Sequence, residues 1–348
     1  MSILVSAARK LFGSHPALDD VSLSVAEGEF FVVLGPSGCG KSTLLRAIAG
    51  LEPLDEGAIS LGGEQVAGPG LHVPPERRNV GVVFQSYALW PHMSVAQNVA
   101  FPLESAGASR SMVEGRVATC LETVELSAHA GRKPADLSGG QRQRVALARC
   151  LAQGARTVLM DEPLANLDPH LRAAMEEELA AFHQRSGATT LFITHDQREA
   201  MALADRMAVM WAGRVLQAGT PEELYDRPCD ERVAGFIGRS SRLNVTVQAV
   251  RGPRALVLLG KRQVEVACGA EVAAGPARLM LRPEHLAVAG EASDLAGRVA
   301  RVTYRGGVFE ALVRVEGLDA PLLVNLPQRA RIGDTLALKV TGGWLLPR

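Results

Sequence analysis

The sequence predicts an α/β core carrying a helical insertion, followed by a separate small all-β domain. Three observations lead there. From Met1 to about Gly235, apolar runs that end at polar residues alternate with amphipathic stretches, the pattern of parallel strands with a site at their C-terminal ends. Between Tyr87 and about Pro134 the apolar spacing changes to three and four, which predicts helices. Beyond FIGRSS come short strand-like runs separated by glycine, proline and charged turns, with no long helix among them.

Taken in order, EFFVVLG predicts a buried strand and KSTLLRAIAGL a helix. NVGVVFQ, TVLMDEP and TTLFITHD predict further strands, while VAQNVAFPLE and SMVEGRVATCLETVEL form the helical insertion. The first domain therefore spans residues 1–235, with its helical part at about 87–140. LNVTVQAV, RALVLLG, QVEVACG, RLMLRPE, GRVARVTYRG, FEALVRVEG, PLLVNLP and DTLALKV predict a barrel or sandwich over 240–348.

Composition narrows the function classes. Lys plus Arg and Asp plus Glu both total 37, and this balance argues against a dedicated nucleic-acid binder. No apolar stretch approaches the roughly 18–20 residues that span a bilayer, and MSILVSAARK does not read as a signal peptide. Five cysteines, an odd number without CxxC spacing, fit unpaired thiols in a reduced cytoplasmic protein better than disulfides or zinc.

The chemistry concentrates at strand ends. Gly35, Pro36, Ser37, Gly38, Cys39, Gly40, Lys41 and Ser42, continued by Thr43, follow a strand and open a helix. Glycines there let backbone N–H groups curl around phosphate, Lys41 reaches the β- and γ-phosphates, and Ser42 offers a hydroxyl to Mg²⁺. Cys39, beside Lys41 and a helix N-terminus, is expected to have a lowered thiol pKa. Asp161 and Glu162 end TVLMDEP; they suit a magnesium ligand and the base for an attacking water, or merely cap a strand. His195 ends FITHD, where it suits a donor near the γ-phosphate, and Gln85 ends GVVFQ, where it suits Mg²⁺ or the attacking water. Ser138, Gly139, Gly140 and Gln141 open another helix, a second place for an anion but without a lysine.

With these motifs in this order, the chain resembles the ATP-binding subunits of ABC transporters along almost its whole length. GPSGCGKST resembles the Walker A loop, Gln85 the Q-loop, LSGGQ the signature, VLMDEP Walker B and His195 the H-loop. NLD, ending at Asp168, resembles the D-loop, although Ala165 stands where serine is frequent. Phe12 matches the aromatic that stacks on adenine; the residues alone leave it either there or in the core. The resemblance implies ATP with Mg²⁺ held through Ser42, Gln85 and Asp161, and Glu162, His195 and Gln85 as catalytic residues.

It also implies head-to-tail pairing. Ser138, Gly139, Gly140, Gln141 and Asp168 would close in trans over the nucleotide of a second copy, since the chain has one P-loop and one signature. The β-region resembles the OB-type (TOBE) domain of bacterial importer ATPases through LRPEHLAV. The implied partners are two transmembrane permease subunits, docked near Trp90, Pro91, His92 and Met93, and, indirectly, a periplasmic or lipid-anchored solute-binding protein. The implied location is peripheral, on the cytoplasmic face of the bacterial inner membrane. The length and ALWPHMSV lean towards ferric-iron or polyamine import. Sugar or phosphonate import is the alternative, and a non-transport ABC ATPase fits less well.

Overall fold

The first strands of the chain pair by local antiparallel contacts. β1 (Ile3–Phe12) forms a hairpin with β2 (His15–Val25); the short β3 (Phe30–Leu34) then enters a different sheet. β4 (Glu56–Leu61) pairs with the other side of β1, and β5 (Glu64–Gly68) and β6 (Leu71–His72) extend that sheet in the order β2-β1-β4-β5-β6. The sequence predicts only the parallel pattern here. Register shifts between Val5 and Ala8, and again beyond Ala8, break the two-residue alternation that would have marked β1 as half-buried.

The second sheet positions the candidate site. β7 (Val80–Val83), β8 (Thr157–Asp161), β9 (Thr189–Thr194) and β10 (Arg206–Trp211) run parallel with β3, in the order β10-β3-β9-β8-β7. β11 (Arg214–Gly219) adds antiparallel to β10. Every residue of β3 and β9 is buried, as expected of strands covered on both faces. The registers Leu34↔Thr194, Asp161↔Ile193 and Val83↔Met160 bring the ends of β3, β9, β8 and β7 to one edge of the sheet.

The computed structural model describes residues 2–165, 167, 169–290 and 293–347. Contacts divide the chain into two units, Met1–Pro221 and Glu222–Arg348. In the first unit α1 (Lys41–Ala49) follows β3, and α2 (Val95–Ser105) and α3 (Arg110–Thr123) lie in the insertion. α4 (Gly139–Ala152), α5 (Pro169–Ser186) and α6 (Gln197–Leu203) complete it.

The second unit takes in most of α7 (Pro221–Asp226), then α8 (Glu231–Phe236) and β-structure. β12 (Ser241–Arg251), β13 (Arg254–Leu259), β14 (Arg262–Cys268) and β15 (Gly275–Leu281) form a barrel that β21 (Trp344–Leu346) closes. Between β15 and β21 lie β16 (Leu286–Val288), β17 (Leu295–Tyr304), β18 (Phe309–Val315), β19 (Leu322–Leu326) and β20 (Thr335–Val340), a second sheet sharing one apolar core with the barrel. β16 and β21, at three residues each, are too short to show a period in sequence. Arg282 of LRPE is fully buried. It stacks 4.0 Å from the Tyr225 ring and donates to the carbonyls of Ile237 and Tyr225, which ties the segment after α7 to the barrel.

Candidate functional site

The loop from Gly35 to Gly40 joins β3 to α1. A side chain on Gly35 would collide with the Met210 carbonyl, and Gly40, at φ +106°, lies against the Ala17 carbonyl, so the path of the loop requires both glycines. Gly40 is the N-cap of α1. No side chain caps this end and no acid sits in the first turn, which leaves its N–H groups suited to an anion. Pro36, Ser37, Gly38, Cys39 and Thr43 belong to the same loop and first turn.

Lys41 is 4% exposed. Its ammonium folds onto its own loop, donating to the carbonyls of Gly35 at 2.8 Å and Pro36 at 3.0 Å, and lies 3.9 Å from Glu162 Oε1. Ser42 Oγ donates to Asp161 Oδ1 at 2.9 Å. Glu162 Oε2 lies 3.1 Å from His195 Nδ1. Two sets of contacts, Lys41–Glu162–His195 and Ser42–Asp161, thus lie side by side through the adjacent pairs Lys41/Ser42 and Asp161/Glu162. Glu162 adopts a left-handed φ of +47°, at a cost of about 1–3 kcal/mol for a residue with a side chain. Its N–H is anchored on the Ile193 carbonyl at 3.0 Å.

Two hard oxygen donors, Ser42 and Asp161, meet beside the loop. Among the described residues no group of three or more His, Cys, Asp or Glu side chains is placed to hold a metal ion. A divalent ion held by few protein oxygens and by substrate phosphates is the usual arrangement for magnesium, so the donor set fits that ion. Gln85 lies two residues beyond β7, and the register puts its turn beside the end of β8. That turn carries Tyr87 at φ +62° and Ala88 at φ +47°; Arg149 of α4 holds their two carbonyls, at 3.1 and 2.7 Å. Arg149 carries no signal in the sequence that would single it out from other helix arginines.

The signature residues form a unit of their own. Ser138 is the N-cap of α4: its Oγ accepts the Gln141 N–H at 3.2 Å, and Gln141 Oε1 accepts the Ser138 N–H at 3.0 Å, a capping box. Gly139 and Gly140 form the first turn. His129 approaches Gln141 Nε2 at 3.2 Å, a contact the sequence reading missed. Ser138 is exposed, and its hydroxyl, while accepting, keeps a hydrogen to donate. Phe12 ends β1 at 51% exposure, with Lys10 Nζ 5.5 Å from its ring centroid; this excludes the core reading. Asp168 lies outside the described residues.

The expected low pKa of Cys39 is corrected. Its thiol is 4% exposed, and burial pushes its pKa up further than the charge of Lys41 and nearby N–H groups pull it down.

Two family models match the chain: the ABC transporter model over residues 18–165 and the TOBE domain model over 279–345. The chain is 45% identical to the spermidine/putrescine import ATP-binding protein of Pseudomonas fluorescens, over 91% of this chain and 93% of that one. The chain belongs to the ATP-binding proteins of ABC transporters. It is an ATPase that energises import. The corresponding protein of Methylococcus capsulatus is also 45% identical, over 94% and 89% of the two chains, and an sn-glycerol-3-phosphate import ATP-binding protein of Paracoccus denitrificans is 42% identical, over 95% and 91%. Among solved structures, a dimeric ATP-binding cassette in a post-hydrolysis state with ADP and phosphate is similar at 31% identity and a TM-score of 0.55, covering 63% of this chain and 98% of that one. In the ABC ATPase, among the described residues, no helix is long and apolar enough to cross a membrane.

Proposed function

We propose that this subunit hydrolyses ATP as a head-to-tail pair with a second copy of itself and powers polyamine uptake through two permease subunits. In this reading residues 1–235 are the ATPase domain and 240–348 the TOBE domain. The N–H groups at the start of α1 and the Lys41 ammonium bind the phosphates. On nucleotide binding the ammonium exchanges the Gly35 and Pro36 carbonyls for phosphate oxygens. Phe12 offers a ring face to adenine. Ser42 and Asp161, with Gln85 beside them, would hold Mg²⁺, which neutralises phosphate charge. Glu162 takes the proton of the attacking water, and His195 orients the Glu162 carboxylate. Ser138, Gly139, Gly140, Gln141 and Asp168 complete the site of the other copy, as the dimeric state of the similar cassette supports.

An open groove of about 760 Å³, lined by Phe84, Trp90, Phe101, Pro102 and Leu103 with Arg149, suits a helix of a permease subunit. The chain then sits peripherally on the cytoplasmic face of the inner membrane, with a solute-binding protein acting through the permeases. The observation behind the chemistry is the meeting of Lys41, Glu162 and His195 beside the Ser42–Asp161 pair. The solute class rests on the spermidine/putrescine relatives at 45% identity. The sn-glycerol-3-phosphate relative supplies the second reading. Labelled spermidine and sn-glycerol-3-phosphate uptake should be measured in cells lacking the chain. Wild type, but not Glu162→Gln, is expected to restore spermidine uptake. Restoration of glycerol phosphate uptake alone would overturn the polyamine assignment.

A further inference from the structure

We propose that Arg172, in the first turn of α5, is a positioning residue that fixes His195 against Glu162. The inference rests on reading those two as the hydrolytic pair. Arg172 Nη1 donates to Asp196 Oδ2 at 3.0 Å and Nη2 to the Leu167 carbonyl at 3.3 Å, while Nε lies 3.6 Å from Glu199 Oε1. These acceptors fall on two segments. Leu167 ends the turn that leaves Glu162: the Ala165 N–H donates to the Glu162 carbonyl at 3.2 Å and the Leu167 N–H to the Leu164 carbonyl at 3.2 Å. Asp196 and Glu199 belong to the segment that carries His195.

That segment is itself tied on both sides of His195. Thr194 Oγ1 donates to Glu199 Oε2, which is buried, and accepts the Asp196 N–H at 3.0 Å. Asp196 Oδ1 accepts the Arg198 N–H at 2.8 Å. Arg172 therefore closes a ring: Glu162, the turn to Leu167, Arg172, Asp196, His195 and back to Glu162. Within this ring the His195 side chain is half exposed and Glu162 holds an unfavourable φ. Such a conformation persists only where its surroundings over-determine it. A planar guanidinium can span a carbonyl and a carboxylate together, whereas an ammonium has no such fixed fork.

The test compares Arg172→Met, which keeps the apolar stem, with Arg172→Lys. Misplacing a reacting group by an ångström costs up to about 100-fold, so Arg172→Met is expected to lower kcat at least about 10-fold with the KM for ATP within about twofold. Arg172→Lys, which keeps the charge but cannot fork to both acceptors, should recover only part of the loss. In protein labelled at histidine nitrogens, the His195 resonance, assigned by its loss in His195→Gln, should shift in Arg172→Met while that of His15 does not. If Arg172→Met does not fold, Asp196→Asn, which weakens one acceptor, should show the same kcat loss and the same His195 shift. An unmoved His195 resonance, or a kcat in Arg172→Met close to that of wild type, overturns the proposal. Full turnover in both Glu162→Gln and His195→Gln would instead overturn the catalytic reading on which it rests.

Discussion

Two helix N-termini in the first unit are built in opposite ways. α1 starts at a left-handed glycine, has no side-chain cap, and carries the buried Lys41. α4 starts at an exposed serine locked in a reciprocal capping box, with no acid in its first turn either. Both have first-turn N–H groups without intrahelical partners, yet only α1 combines an uncapped end with a cation. A capped terminus is pre-organised but already part-satisfied, so it suits contacts added late to an anion bound elsewhere. This difference supplies a physical reason for one chain to carry two phosphate-like loops under the proposed pairing: one would bind, and the other would close over what a second copy has bound.

The largest expected effect isolates the chemistry from both loops. Glu162→Gln leaves Lys41, Ser42 and Asp161 in place and removes the base, so turnover should fall by about 10²–10⁴ while ATP stays bound. MgATP should then hold the variant as a dimer by light scattering. Near wild-type hydrolysis would show that Glu162 is not the base, and a monomer at micromolar concentration would remove the second nucleotide that α4 needs.

The next effect sets the two termini against each other. Lys41→Ala should weaken ATP binding by about 10–100-fold, the 1.5–3 kcal/mol of hydrogen bonds to charged groups. Ser138→Arg should block the α4 end by bulk while sparing ATP binding by the isolated chain. Each variant alone is expected to be inactive. In an equal mixture about half the dimers are mixed, and each mixed dimer has one intact site of two, so activity should return to about a quarter of wild type if sites act independently. An equal loss of ATP affinity in Ser138→Arg would mean that both termini serve the same nucleotide.

How much of this was legible in sequence depended on whether the signal was local. The loop from Gly35 to Ser42 was readable because its glycines and lysine sit at fixed spacing between a strand and a helix. Asp161, Glu162 and His195 were readable because each directly ends an apolar run, and parallel strands bring such ends to one edge. Their contacts with one another were not readable, since they depend on the order β3-β9-β8, which no local pattern encodes. Arg149 and Arg172 were missed for the same reason: their acceptors are backbone carbonyls and carboxylates set by tertiary structure. Cys39 was misjudged because proximity to a lysine is visible in sequence and burial is not. The N-terminal antiparallel sheet was lost where register shifts interrupt the alternation of β1.

The smallest effect separates the two jobs of Ser138. As N-cap, its Oγ accepts the Gln141 N–H. As a ligand in trans, it would donate its own hydrogen to phosphate. Ser138→Ala removes both and should cost about 1 kcal/mol of stability, which lowers Tm by about 2–4 °C for a unit of this size. Ser138→Asp keeps a good cap and favours the positive end of α4, so its Tm should match or exceed that of wild type. Its carboxylate, however, cannot donate and repels a phosphate, so ATPase activity should still be lost. Thermal unfolding and steady-state hydrolysis on the same samples would give both readouts. If Ser138→Asp hydrolyses ATP normally, Ser138 is only a cap, and the contrast between the α1 and α4 termini reduces to two ways of starting a helix.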